Sequence, residues 1–235
     1  TRHVGGLPAV DGHAGGDPGP WTALGVFLSI QAALKWRTGR DLAGATITVQ
    51  GAGAVGADLA RRLVEAGARV TLADVDLARA VAVAERIGAY IAGPRDIHRM
   101  AADVFAPCAL GAGLNAETLD ELAAPLICGA ANNQLADAGV GEALHRRGKL
   151  YCPDYVVNAG GIVAIHSEST GETPAQLQAK VEAIPGRLVE ILSRAERCIR
   201  PPEAVADSIA RQRIGRASPA DAQIGRPPGA VQGHR

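Results

Sequence analysis

The sequence predicts an α/β fold: a doubly wound, mostly parallel sheet with helices on both faces. Three observations predict it. Short apolar or β-branched runs, among them Thr46–Gln50, Arg69–Ala73 and Ala102–Cys108, alternate with stretches whose apolar residues recur at helical spacing. The first of these runs feeds directly into Gly51, Gly53 and Gly56, the turn chemistry of a strand–turn–helix unit. The composition, 47% hydrophobic but only 3% aromatic over 235 residues, suits an interior packed with Ala, Val and Leu.

Residues 1–16 are glycine-rich without apolar periodicity and are expected to be the remnant of an inter-domain connection. Asp17-Pro-Gly-Pro20 is turn chemistry, and a helix should follow from Trp21 to about Gly39. Thr22, in its first turn, stays open between a cap and a ligand contact. After strand Thr46–Gln50, the residues Ala57, Leu59, Ala60, Leu63 and Val64 form one helical stripe that closes at Gly67. Strand Arg69–Ala73 ends at Asp74, and a crossover helix, Leu77–Ile87, stops at Gly88. Ala102–Cys108 reads as a strand, Ala109–Gly113 as a loop, and Asn115 as the cap of a helix running to Leu122. A strand over Pro125–Ala130 runs into Asn132-Asn133-Gln134, and another over Leu150–Cys152 with Val156-Val157 ends at Asn158. Thr173-Pro174 opens a long helix towards Cys198, within which Pro185 costs about 3 kcal/mol, so a kink or two helices are expected. Pro201-Pro202 starts a last helix over 201–215, leaving 17–200 as the main domain and 216–235 as a tail expected to be disordered.

The glycine turn carries the chemistry. Gly51 allows the tight turn, Gly53 lets the backbone approach a pyrophosphate, and Gly56 lets helix and strand pack closely, with Ala52, Ala54 and Val55 completing the loop. Asp74, eighteen residues beyond Gly56, stands where a carboxylate can accept from ribose hydroxyls. A lone G-x-G-x-x-G is weak, but strand before, helix after, second strand and terminal acid are all in register, which makes this a Rossmann-type dinucleotide site. Because strand C-termini share one edge in a parallel sheet, Ala109, Asn132, Asn133 and Asn158 can converge on that turn. Solvated turn asparagines are the alternative.

Lys plus Arg equals Asp plus Glu, 24 each, so no net field recruits nucleic acid or an anionic membrane. The cysteines, at 108, 128, 152 and 198, lack C-x-x-C spacing and read as buried small hydrophobes rather than a metal site or disulfides, which fits the cytoplasm. Trp21–Leu34 is the most apolar stretch and is too short and too polar to span a bilayer.

Asp17-Pro-x-Pro20 with Thr22-Ala-x-Gly-Val26, the glycine turn, Asp103-Val-Phe-Ala-Pro-Cys-Ala-Leu-Gly111, Gly129-Ala-Ala-Asn-Asn-Gln-Leu135 and Pro153-Asp-Tyr-Val-Val-Asn-Ala-Gly-Gly161 occur in one order. Together they resemble the cofactor-binding half of the Glu/Leu/Phe/Val amino acid dehydrogenases, closest to the leucine, phenylalanine and valine branch. The resemblance implies NAD as cofactor and oxidative deamination of an L-amino acid to its 2-oxo acid and ammonia. By position it implies pyrophosphate at Gly51 to Gly56, adenosine ribose at Asp74, and nicotinamide contacts at Thr22, Ala109, Leu110, Asn132 and Asn133. Asn133 and Asn158 would also meet the amino acid or 2-oxo acid substrate, and homo-oligomers are left open. With no arginine immediately after Asp74, NAD is expected over NADP. The chain departs from the family pattern at Gly19, where a serine is usual, and at Pro185. The family's catalytic lysines belong to a preceding glycine-rich segment, whereas Lys35, Lys149 and Lys180, the three lysines here, lie in no such segment. The sequence is therefore expected to start just after a substrate domain, and a non-catalytic NAD-binding module is the alternative.

Overall fold

The computed structural model describes residues 5–6, 12–109, 111–216 and 221. Its strands are β1 (Thr46–Gln50), β2 (Arg69–Ala73), β3 (Tyr90–Ile91), β4 (Val104–Pro107), β5 (Leu126–Ile127) and β6 (Leu150–Tyr151). They form one sheet in the order β3-β2-β1-β4-β5-β6, and every pair is parallel rather than most. The order reverses between β1 and β4, where a crevice opens at the strand C-termini. Register sets Gln50 level with both Ala73 and Pro107, so the residues that follow, Gly51, Asp74 and Cys108, reach the same edge.

The helices are α1 (Gly19–Thr38), α2 (Ala54–Glu65), α3 (Leu77–Ile87), α4 (Ala116–Glu121), α5 (Ala138–Arg146), α6 (Asp154–Val157), α7 (Gly160–Ser169), α8 (Pro174–Glu182), α9 (Ile184–Cys198) and α10 (Pro202–Arg213). Val104, Ala106, Leu126 and Leu150 pack with Ile30, Leu59, Leu63 and Leu188 on one face, while Phe105, Ile127 and Tyr151 pack with Leu119 and Leu144 on the other. Side chains alternate across the sheet and both faces are covered, which is why these strands read as continuous apolar runs.

Several local readings change. Val156 and Val157 are helical: Pro153 opens α6 and the Asp154 carboxylate accepts the Tyr155 N–H, ending β6 early. β3 is a two-residue edge strand whose Tyr90 and Ile91 are exposed, so it has no apolar signature. Helix α5 starts at Asp137, whose side chain accepts the Val140 N–H, and its two glycines hide it; α7 begins with Gly160-Gly161. The long helix is two helices meeting at Ala183, with Pro185 in the first turn of α9, where a missing N–H breaks no bond.

Both chain ends make contacts where the sequence offers no periodicity. Ala14 is buried and its N–H donates to the Glu172 carbonyl at 2.7 Å, while the Gly6 N–H donates to the Glu168 carboxylate at 2.8 Å. Asp221 is buried and its carboxylate accepts from Arg211 at 2.8 Å; apart from Arg216, the rest of the tail expected to be disordered lies outside the described residues. Residues 1–4, 7–11, 217–220 and 222–235 lie outside the described residues.

Gly56 has no room for a side chain: a Cβ there would overlap the Gly51 carbonyl and come within 3.3 Å of the Cys108 Cβ. Gly56→Ala should cost about 1–3 kcal/mol, as overpacked sites do, measured by urea denaturation. An unchanged midpoint would mean that α2 slides without penalty.

Glu203, at the start of α10, presses its carboxylate against Gly141, and its Oε2 is buried without a hydrogen-bond partner among the described residues. Burial pushes this carboxyl up, and Asp207 and Glu142 push it further. A raised folded pKa means that the stability contribution is fully present below the ordinary carboxylate value and is lost as pH rises through the folded one. Thermal melts should therefore show Glu203→Gln more stable than wild type at neutral pH, with the gap closing near about pH 4.

Candidate functional site

Strand β1 hands the chain to Gly51, whose φ of +111° is open to glycine and whose N–H donates to the Ala73 carbonyl at 2.7 Å. A Cβ on Gly51 would stand 2.8 Å from the Cys108 carbonyl oxygen, so the turn lies hard against the end of β4. Gly53 then opens α2 with extended backbone, and no side chain caps the helix. A Cβ on Gly53 would meet nothing within 4 Å. Two of the three glycines are thus closed in by protein, and the third faces empty space beside the uncapped amides of Ala54, Val55 and Gly56. That is a cradle for an anion: free N–H groups, the positive end of a helix, and room for backbone approach.

The cradle opens into a cleft of about 560 Å³ between Gly51, Gly53 and Asp74 on one side and Ala109 and Gly111 on the other, with Arg79 and Arg95 at its rim. The Asp74 carboxylate accepts the Ala52 N–H at 2.6 Å and the Asp76 N–H at 2.8 Å, and Arg79 Nη1 lies 3.8 Å away. Burial alone raises this carboxyl, but the two amides and then the Arg79 charge outweigh it and hold the group below its ordinary value. Asp74 is therefore ionised at the end of β2, tied to the glycine turn by one oxygen. Arg79 is the departure from the sequence reading: Asp76 caps α3, and the first helical turn brings the guanidinium back to the acid.

Beside the cleft, past its lining residue Gly111, three loops come together: a Cβ on Gly111 would stand 2.7 Å from the Asn132 carbonyl oxygen, while Asn132, Asn133 and Asn158 do not themselves line the cleft. The Ala112 N–H donates to the Asn133 carbonyl at 2.7 Å and the Leu114 N–H to the Gln134 carbonyl at 3.0 Å, lacing the loop after β4 to the loop after β5. Asn158, at the C-terminus of α6, donates through Nδ2 to Asn132 Oδ1 at 2.6 Å and to the Ala130 carbonyl at 3.3 Å. Asn158 and Asn132 thus meet directly, with Asn133 next to Asn132 in the chain. Thr22 is not a cap, because α1 begins earlier, at Gly19; its hydroxyl donates to the Pro18 carbonyl at 3.3 Å and packs against Gly161. Leu110 lies outside the described residues.

The lysines are elsewhere. Lys35 pairs with Asp41 and Lys180 with Glu172. Lys149 precedes β6, at the sheet edge opposite the cleft, where it donates to the Ala124 carbonyl at 3.1 Å. Burial, then Arg147 and Arg37, push its pKa down. The cysteines are unbridged: Cys128 and Cys152 are buried, and burial pushes the Cys108 thiol up to about 12. Among the described residues no His, Cys, Asp and Glu group is arranged to hold a metal, and no helix is long and apolar enough to cross a membrane.

The profile of the Glutamate/Leucine/Phenylalanine/Valine dehydrogenase family matches residues 18–77 and 76–200. The chain belongs to this family. Leucine dehydrogenase from Bacillus subtilis is 40% identical over 217 residues, which cover 92% of this chain and 59% of that protein. The crystal structure of L-tryptophan dehydrogenase from Nostoc punctiforme superposes with a TM-score of 0.82 at 39% identity, covering 85% of this chain and 62% of that one. The hetero-hexameric glutamate dehydrogenase from Thermus thermophilus, in its leucine-bound form, gives 0.73 at 26% identity, over 92% of this chain and 56% of that one. This family member therefore spans somewhat more than half the length of the relatives it matches, and its glycine turn, Asp74 and the asparagine loops all fall inside the matched segments.

Proposed function

We propose that this chain is the cofactor-binding half of an NAD-dependent L-amino acid dehydrogenase of the leucine, phenylalanine and valine type. The observation that carries the reading is the cradle: Gly53 faces open space over uncapped helix amides while Gly51 and Gly56 are packed shut. When bound, NAD would supply the oxidant, accepting a hydride from the substrate Cα at nicotinamide C4, and with one water the amino acid would become its 2-oxo acid and ammonia. In this reading the turn from Gly51 to Gly56 holds the pyrophosphate through the free amides of its helix end, Ala54 to Gly56, while the Ala52 amide ties the turn to Asp74, which accepts from the adenosine ribose. Thr22, Ala109, Leu110, Asn132 and Asn133 border the nicotinamide, and Asn133 and Asn158 orient the substrate. Unbridged cysteines fit a cytoplasmic setting.

A 2′-phosphate would place its charge about 4 Å from the Asp74 carboxylate, a repulsion of up to about 4 kcal/mol at an effective dielectric near 20. Arg79, 3.8 Å from the same oxygen, offsets part of it. Calorimetry should show NADH binding more tightly than NADPH, with Asp74→Ala narrowing the gap and Arg79→Ala widening it. Tighter binding of NADPH by the unaltered chain would overturn the Asp74 assignment.

The position of the lysines favours keeping a second reading, a nucleotide-binding module without catalysis. General acid–base catalysis contributes about 10²–10⁴-fold and substrate orientation more, and no lysine lines the cleft. The 235-residue chain alone should bind NADH yet fail to reduce 4-methyl-2-oxopentanoate, phenylpyruvate or 3-methyl-2-oxobutanoate with ammonia. The same chain fused behind a lysine-bearing substrate domain of the family should turn over, followed by NADH absorbance. Inactivity of the fusion despite NADH binding would favour the module.

A further inference from the structure

The cleft and the asparagine loops beside it are held by different means. At the glycine turn the backbone is fixed by close packing and by Asp74. In the asparagine loops it is strained: Ala112 has φ +56° and Asn133 φ +52°, both left-handed and neither a glycine. These two residues face each other across the Ala112 N–H to Asn133 carbonyl bond of 2.7 Å. A strained pair of this kind persists only where its surroundings over-determine it.

Asp154 supplies that constraint. Its side chain is buried, the residue being 7% exposed, and its hydrogen bonds go to backbone amides. Oδ2 accepts the N–H of Gln134, the residue after Asn133, at 2.9 Å, and Oδ1 accepts the N–H of Tyr155 at 2.7 Å. The Gln134 side chain closes the same loop by donating to the Gly129 and Ala131 carbonyls at 2.8 and 2.9 Å. Asp154 is also the first residue of α6, whose C-terminal Asn158 donates to Asn132. One carboxylate therefore grips the loop that carries Asn132 and Asn133 and opens the short helix that presents Asn158.

We propose that Asp154 is a positioning residue for the nicotinamide and substrate end of the site. It touches no ligand; it acts by holding the left-handed turn at Asn133 and setting Asn158 against Asn132. The inference rests on reading the cleft as a dinucleotide site. It makes no demand on the pyrophosphate end, which Asp74 anchors independently through Ala52.

The test compares two probes on the full chain: NADH, and ADP-ribose, which has the adenosine and pyrophosphate but no nicotinamide. Asp154→Ala removes the acceptor of two buried amides and should weaken NADH about tenfold or more while leaving ADP-ribose within about twofold. Asp154→Asn keeps one carbonyl oxygen but turns an amide group against the second N–H, so it should move NADH in the same direction. In an Asn132→Ala, Asn158→Ala background, Asp154→Ala should weaken NADH far less than it does in wild type, because the groups it positions are gone. Equal weakening of both probes, including loss of both through misfolding, overturns the assignment in favour of a general structural role. Unchanged NADH affinity in both variants overturns it too. A wild-type chain that binds neither probe refutes the cleft reading itself, which separates that failure from a failure of Asp154.

Discussion

The first turn of α2 crosses the end of β1 with no space for a side chain between them, and the rest of the site follows from that contact. Gly56 lies on the Gly51 carbonyl, and Gly51 in turn lies on the end of β4 at Cys108. Close approach fixes the helix axis over the crevice, so its uncapped amides aim along the line where β1 and β4 part. The same solution recurs along this edge of the sheet. A Cβ on Gly129, just past β5, would collide with Pro107, and a Cβ on Gly160, at the start of α7, would collide with the Trp21 carbonyl. Glycine stands wherever chain leaving one strand or short helix must pass directly over its neighbour.

Electrostatics then distinguish the cleft from the loops beside it. At the end of β2 the Asp74 carboxylate is bound by amides, and Asp76 and Arg79 lie beside it, one acidic and one basic. In the loops beside the cleft the polar groups are neutral amides, Asn132, Asn133 and Asn158, laced by backbone bonds between loops. Neutral donors and acceptors suit an uncharged carboxamide, and fixed charge suits ribose hydroxyls and phosphate.

How much of this was legible in the sequence depends on how local each signal is. The unit from Thr46 to Asp74 was readable because strand, turn, helix and strand follow one another within one stretch, each carrying its own periodicity or glycine. Asn115 and Thr173 were readable as caps for the same reason: a side chain bonds backbone two or three residues away, and both turn out to close capping boxes. Val156-Val157 misled because β-branched residues favour strands, yet Pro153 and the Asp154 carboxylate impose a helical turn that no propensity reveals. The two-residue β3 and the glycine-bearing α5 and α7 lack the periodicity that would have marked them. Arg79 and Asp154 were present in the strings already singled out or beside them. Their partners, Asp74 and Gln134, become visible only when the chain folds back.

The titratable groups in the cleft lining argue for what this half of the molecule can contribute. Asp74 is held ionised, well away from a working proton donor or acceptor, and Cys108 is held neutral by burial at about 12. Neither Asp74 nor Cys108 is therefore matched to neutral-pH proton transfer, the condition under which general acid–base catalysis is efficient. Lys149, whose pKa is lowered, is directed into backbone carbonyls at the opposite edge of the sheet. Hydride transfer places a different demand on the protein: it needs the donor carbon and the nicotinamide held within about 3–3.5 Å in fixed orientation, not a base in this wall. The groups this lining offers are backbone amides and a carboxylate held below its ordinary pKa, which suit binding and alignment rather than proton transfer.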